Sequence, residues 1–157
     1  MFRDNKMSVL IINGPNLNLL GQREVSIYGE KSLEEIQYLT EQCLENAGIC
    51  CEFFQSNAEH EIIDRIQSTI DDETEVMIIN PAAFTHTSVA IRDAVAAVEV
   101  PFIEVHLSNP HTREPFRKHS YFSDLAIGVI AGFGVQSYLM ACERAIDFLK
   151  QNELDND

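Results

Sequence analysis

Ser8-Val9-Leu10-Ile11-Ile12-Asn13 is an apolar run that ends on an asparagine and passes straight into Gly14-Pro15-Asn16. Strands that are apolar at successive rather than alternate positions are buried on both faces, which implies a parallel sheet covered by helices. Val76–Asn80, leading into Pro81, and Phe102–His106, leading into Leu107-Ser108-Asn109, repeat the pattern. Residues 49–54 and 125–131 complete a set of five strands. Between them lie helical segments. Residues 32–47 carry Leu33, Ile36, Leu39, Cys43, Leu44 and Ala47 on one face, with Ser32 and Glu35 as a capping box and Gly48 as a stop. Residues 59–70 carry the stripe Ile62, Ile63, Ile66 and Ile70; residues 88–98 form a third helix. Residues 136–150 form the last, with Leu139, Cys142, Ile146 and Leu149 inward. Strand–helix alternation with right-handed crossovers predicts a flavodoxin-like, doubly wound, five-stranded parallel sheet in the α/β class. It is expected as a single domain over residues 8–150, between an amino-terminal extension, 1–7, and a polar tail, 151–157.

Composition narrows the function. The net charge of −14 disfavours nucleic acid as a partner, because phosphate binding needs a basic surface. A small anionic substrate remains compatible, since a few arginines in one cleft reverse the local field. Apolar runs fall far short of the roughly 20 residues of a membrane span, and Met1–Met7 lacks the apolar core of a secretory signal, so a cytoplasmic protein is expected. The four cysteines, Cys43, Cys50, Cys51 and Cys142, form no C-x-x-C pair, and His60, His111 and His119 lack metal-ligand spacing, so no metal is expected. Gly132-Phe133-Gly134 is half a dinucleotide fingerprint without its third glycine, which reads better as a helix-start turn.

In open parallel sheets ligands bind beyond the carboxyl ends of the strands. Here those ends are polar, and two long loops follow them, 14–31 and 107–124. Loops longer than about 12–15 residues are usually functional or disordered. They carry Arg23, Arg113 and Arg117, with Tyr28 and His106 at their edges. Glu104 lies two residues before His106, so both side chains share a face, and a buried carboxylate demands a partner. Pairing would fix the imidazole tautomer and raise its proton affinity, which suits a general acid. Tyr28 in a polar loop is ambiguous: it is either a surface aromatic or, with cations nearby to stabilise its phenolate, a base. Asn80 and His86 are candidates to bind hydroxyls, and Ser108 with the backbone after His106 to hold a carboxylate. Thr85 or Thr87 fits a helix N-cap.

These blocks together resemble the type II 3-dehydroquinate dehydratases. The amino-terminal signature is residues 12–21 (Ile-Asn-Gly-Pro-Asn-Leu-Asn-Leu-Leu-Gly), then Arg23-Glu24 and Ile27-Tyr28-Gly29. Later blocks are Phe53-Phe54-Gln55-Ser56-Asn57, Asn80-Pro81 with Thr85-His86-Thr87-Ser88, Glu104-Val105-His106-Leu107-Ser108-Asn109, and Arg113-Glu114 with Phe116-Arg117 and His119-Ser120. The resemblance implies anti elimination of water from 3-dehydroquinate through an enolate, giving 3-dehydroshikimate on the shikimate route to chorismate and the aromatic amino acids, with no cofactor. It implies Tyr28 as the base at C2, and Arg23 on a mobile loop, stabilising the transition state. Asn16 would assist the enolate through a water, and His106 would protonate the departing C1 hydroxyl. It implies substrate binding by Asn80, His86 and Arg117 and by Leu107 and Ser108 through backbone amides. Asp93 would reach a neighbour's site in a dodecamer of four trimers, and Arg113 would stand beside the base.

The chain departs from the family pattern at Ala82 and Phe84, where Gly and Tyr are usual. Two other classes fit these residues less well. A flavin module needs a phosphate-cradling loop after the first strand, and Gly14-Pro15-Asn16-Leu17-Asn18-Leu19 is poor for that. A receiver domain needs acidic strand ends where this chain has Asn13 and Asn80. A Schiff-base route needs a desolvated lysine, and among Lys6, Lys31, Lys118 and Lys150 only Lys118, in the arginine-rich loop, needs excluding.

Overall fold

A computed structural model describes residues 8–156; the extension 1–7, with Lys6, lies outside the described residues. β1 (Ser8–Asn13), β2 (Cys50–Gln55), β3 (Val76–Asn80), β4 (Phe102–His106) and β5 (Gly128–Ala131) form one all-parallel sheet of order β2-β1-β3-β4-β5. This is the flavodoxin-like order expected from the alternation. The helices are α1 (Val25–Tyr28), α2 (Leu33–Asn46), α3 (Glu59–Gln67), α4 (Val89–Val98) and α5 (Val135–Asn156).

Strand parity divides the core in two. Val9, Ile11, Val76, Ile78, Ile103 and Val105 face α2 and α5, where Ile36, Leu44, Ala141, Cys142, Ala145 and Leu149 meet them. Leu10, Ile12, Met77, Ile79 and Phe102 face α3 and α4, against Ile62, Ile66, Ile91 and Val95, with Phe122 closing that layer. Truncating one such side chain, as in Ile66→Ala, costs about 2–5 kcal/mol.

Several expectations need correcting. The central strands are buried on both faces, but β5 is shorter than 125–131 and lies at an edge, with Leu125, Ile127 and Val129 exposed. The helix begun at Glu59 tightens into a 3-10 turn over Ser68–Ile70; this rotates Ile70 into solvent and buries Thr69 instead. In α2 Thr40 is the buried residue rather than Leu39, its hydroxyl satisfied by the Ile36 carbonyl at 3.0 Å. In α5 Tyr138 is buried and Leu139 is only half-buried. The tail continues α5 as exposed helix to Asn156. The N-cap of α4 is Ser88, whose hydroxyl accepts from Ile91 N at 2.9 Å, not Thr85 or Thr87.

Candidate active site

The carboxyl ends of β1 and β3 lie side by side, with Asn13 in register with Asn80. The chains leaving them touch. Gly14 N donates to the Asn80 carbonyl at 2.8 Å, and a β-carbon on Gly14 would stand 2.2 Å from the Pro81 carbonyl oxygen. Only glycine fits that approach. Ala82 adopts φ 52°, a left-handed conformation in which the family's usual glycine would be unstrained. Asn16 is also left-handed, and its N–H donates to Asn57 Oδ1 at 2.9 Å, tying the loop after β1 to the one after β2.

Beyond these ends lies a cleft of about 120 Å³, room for one small molecule. Asn16, Arg23, Tyr28, Asn80, His86, His106, Leu107, Ser108, Arg113 and Arg117 all line it. Of the residues singled out in the sequence, two are absent from its wall. Glu104 lies buried beside His106, and Asp93 is exposed on α4.

Glu104 and His106 point to the α3–α4 face of the sheet. Glu104 Oε2 meets His106 Nε2 at 2.5 Å, and Glu104 Oε1 accepts from Ser120 and Ser123 hydroxyls, each at 2.9 Å. Burial alone would push the Glu104 carboxyl up, but the His106 bond and charge and the two serine bonds together hold it below the usual carboxylate range. An ionised carboxylate only accepts, so Nε2 of His106 carries a proton and Nδ1 is the nitrogen left for a ligand. His86 is wired differently. Its Nδ1 contacts the His119 carbonyl at 2.7 Å and must donate to it. Burial pushes the His86 imidazole down, opposed by that carbonyl and assisted by the charges of His106 and Arg117. A neutral His86 therefore offers Nε2 as an acceptor.

Tyr28 ends the single turn α1 and is half-buried. Arg23 Nη2 donates to its hydroxyl at 3.3 Å, and the guanidinium carbons of Arg23 and Arg113 lie 4.9 and 5.1 Å from its ring centre. Two cations thus face one phenol, an arrangement that stabilises negative charge on its oxygen. Arg113 also reaches the Ser108 hydroxyl at 3.2 Å, while Arg117 pairs with Glu114 at 2.5 Å.

Residues 7–146 match the model of the family described as dehydroquinase class II. The chain belongs to that family. It is 59% identical over 138 residues to the 3-dehydroquinate dehydratase of Stenotrophomonas maltophilia strain K279a, covering 88% of this chain and 94% of that protein. It is 55% identical over 151 residues to the 3-dehydroquinate dehydratase of Shewanella sediminis, covering 96% and 98%. The crystal structure of type II dehydroquinase from Butyrivibrio crossotus superposes with a TM-score of 0.87 at 43% identity, covering 89% of this chain and 97% of that one.

Within this class II dehydroquinase, two contributors, Ser123 and Tyr138, escaped the sequence reading, and Ser120 entered it only as part of a family block, without its role beside Glu104. Ser123 gave no signal beyond being a hydroxyl in a loop. Tyr138 was obscured because a helical stripe admits polar-tipped aromatics only where a partner exists, and its partners, Asn13 and Asn80, are 125 and 58 residues away. Arg92, on α4, is held by Asp124 and the Tyr121 carbonyl and is not in the cleft wall. The lysines among the described residues, Lys31, Lys118 and Lys150, are exposed and none lines the cleft. No helix among the described residues is long and apolar enough to cross a membrane.

Proposed function

We propose that this chain is a 3-dehydroquinate dehydratase that eliminates water from 3-dehydroquinate in an anti sense, with Tyr28 as base and His106 as acid. The observation that carries the assignment is the pairing of a phenol under two guanidiniums with a carboxylate-backed histidine in one small cleft. The Tyr28 phenolate takes the proton at C2, beside the ketone, and the C–H electrons pass into the enolate. Asn16 assists that charge through a water, and Arg23 favours the transition state by charge it meets only there. The enolate then forms the C1–C2 double bond and expels the C1 hydroxyl, which leaves as water with a proton from His106 Nδ1. Glu104 keeps that imidazole oriented, with Nδ1 toward the cleft.

The substrate carboxylate is held by the backbone amides of Leu107 and Ser108. Asn80, His86 and Arg117 take ring hydroxyls, His86 through its Nε2 lone pair, and Arg113 keeps the base flanked by charge. The exposed lysines favour this route over a Schiff base. Exposure of Leu125 and Ile127 just before the edge strand β5, of Val129 on it, and of Asp93 on α4 supports an assembly of trimers into a dodecamer in which Asp93 serves a neighbouring cleft. Light scattering then gives a mass near twelve chains. A shikimate-pathway role in the cytoplasm follows from the same reading. The deciding experiment is purified protein mixed with 3-dehydroquinate. Ultraviolet absorbance rises as the conjugated enone forms, and a flat trace with folded protein rejects the proposal.

A further inference from the structure

Behind the cleft, on the α2–α5 face of the sheet, three fully or nearly fully buried polar side chains form one chain of hydrogen bonds. Asn13 Nδ2 donates to the Phe54 carbonyl at 3.1 Å. Tyr138 Oη donates to Asn13 Oδ1 at 2.6 Å. Asn80 Nδ2 donates to Tyr138 Oη at 2.9 Å, and Asn80 Oδ1 accepts from Ala82 N at 3.1 Å. Tyr138 and Asn13 are 0% exposed and Asn80 2%.

The direction of this chain is fixed at both ends. A carbonyl only accepts, so Asn13 must turn Nδ2 to Phe54 and Oδ1 to Tyr138. The Tyr138 hydroxyl has one proton, and Asn13 takes it. Tyr138 can then only accept from Asn80. At the other end a backbone N–H only donates, so Asn80 must turn Oδ1 toward Ala82. Burial pushes the Tyr138 hydroxyl far up, opposed only in part by Asn80, so it stays protonated and the direction does not reverse with pH. The Asn80 amide is therefore locked in one of its two flip states.

We infer that Tyr138 is a positioning residue for substrate binding: through Asn13 it fixes the Asn80 amide so that its second N–H, a donor, faces the cleft. The inference rests on the proposed role of Asn80 as a substrate-binding residue. An asparagine free to flip would present donor and acceptor in turn, and a substrate hydroxyl would meet the right one only part of the time. Tyr138 is not in the cleft wall, and its hydroxyl bonds Asn13 and Asn80 rather than Tyr28 or His106, so its loss should weaken binding and leave the chemical step nearly alone.

A double-mutant cycle on kcat and KM for 3-dehydroquinate tests this, using Tyr138→Phe, Asn80→Ala and the double variant. Tyr138→Phe is expected to raise KM about fivefold, the scale of one neutral hydrogen bond, with kcat within about twofold. In the Asn80→Ala background the same change is expected to leave KM unmoved. Leu149→Ala, buried on the same helix but outside the chain of bonds, should lower stability without altering KM. Tyr138→Phe effects on KM that add in full to those of Asn80→Ala, or an unchanged KM in Tyr138→Phe, overturn the inference while leaving Asn80 as a binding residue. An unchanged KM in Asn80→Ala overturns both. If Tyr138→Phe does not fold, Asn13→Ala replaces it, because it removes the acceptor that holds the Tyr138 proton away from Asn80 and so weakens the bond from Asn80 Nδ2; the expected and contrary results are the same.

Discussion

The two sides of the cleft are built to different standards. His106 stands on a strand, backed by a buried carboxylate that has three side-chain partners, His106, Ser120 and Ser123. Tyr28 stands at the end of a one-turn helix in a loop, and its hydroxyl has one bond of 3.3 Å, to an arginine that is itself paired with exposed Glu24. The proposed acid side is preorganised by the fold. The proposed base side is assembled from charge and leans on whatever fills the cleft to complete it. Chemistry and stability should therefore separate on one side and stay coupled on the other.

The largest effect is expected at Tyr28→Phe. Turnover should fall by about 10²–10⁴-fold or more, the scale of a lost general base, with KM within a few-fold and the melting temperature unchanged. Near-normal turnover in the folded variant removes Tyr28 from the role.

Glu104→Gln should break the acid side in both respects. Loss of the charge behind His106 lowers kcat by about 10²-fold, and thermal unfolding should also shift to lower temperature, because a buried network loses its centre. The Glu104 carboxyl titrates lower in the fold than its ordinary 4.5, so it adds stability above that value which is lost as pH falls through the folded titration. The variant should therefore show a shallower loss of stability on acidification. An unchanged melting temperature and acid profile would erase the contrast between the two sides.

A smaller effect concerns His86, whose imidazole is pushed below 6.5. The fold favours its neutral form, so its contribution is fully present above about 6.5 and fades as pH falls toward the lower folded value. Protonation also turns its acceptor nitrogen into a donor. KM should rise a few-fold as pH falls below the ordinary imidazole value, and His86→Gln should flatten that rise; a profile that persists in the variant assigns it elsewhere.

The smallest effect is at Ala82. Placing glycine at this left-handed position should raise the melting temperature by about 2–4 °C, corresponding to roughly 1 kcal/mol of relieved strain. No change, or a fall, would mean that the entropy of the unfolded chain outweighs the strain.

Most of the architecture was legible because its signals are local. Val76–Asn80 and Phe102–His106 match the sheet residue for residue, since central strands need apolar side chains on both faces. The misreadings came where a face meets an edge or a polar partner. Leu125 and Val129 have apolar side chains but lie before and on an edge strand, and Ile70 fits the helical stripe until the last turn tightens. The cleft was readable from strand ends and from the family blocks, and Glu104 from its two-residue spacing to His106. Tyr138 was not readable, because nothing near it in sequence says that two asparagines from other strands wait for its hydroxyl.

The proposed roles of Tyr28 and His106 make one stereochemical demand, that the proton at C2 and the hydroxyl at C1 leave from opposite faces of the ring. The measurement is turnover of 3-dehydroquinate carrying deuterium stereospecifically at C2, with mass analysis of the 3-dehydroshikimate formed. The account predicts loss of the hydrogen anti to the departing hydroxyl and full retention of the syn label. Loss of the syn hydrogen would contradict it, because Tyr28 and His106 would then have to work from the same face.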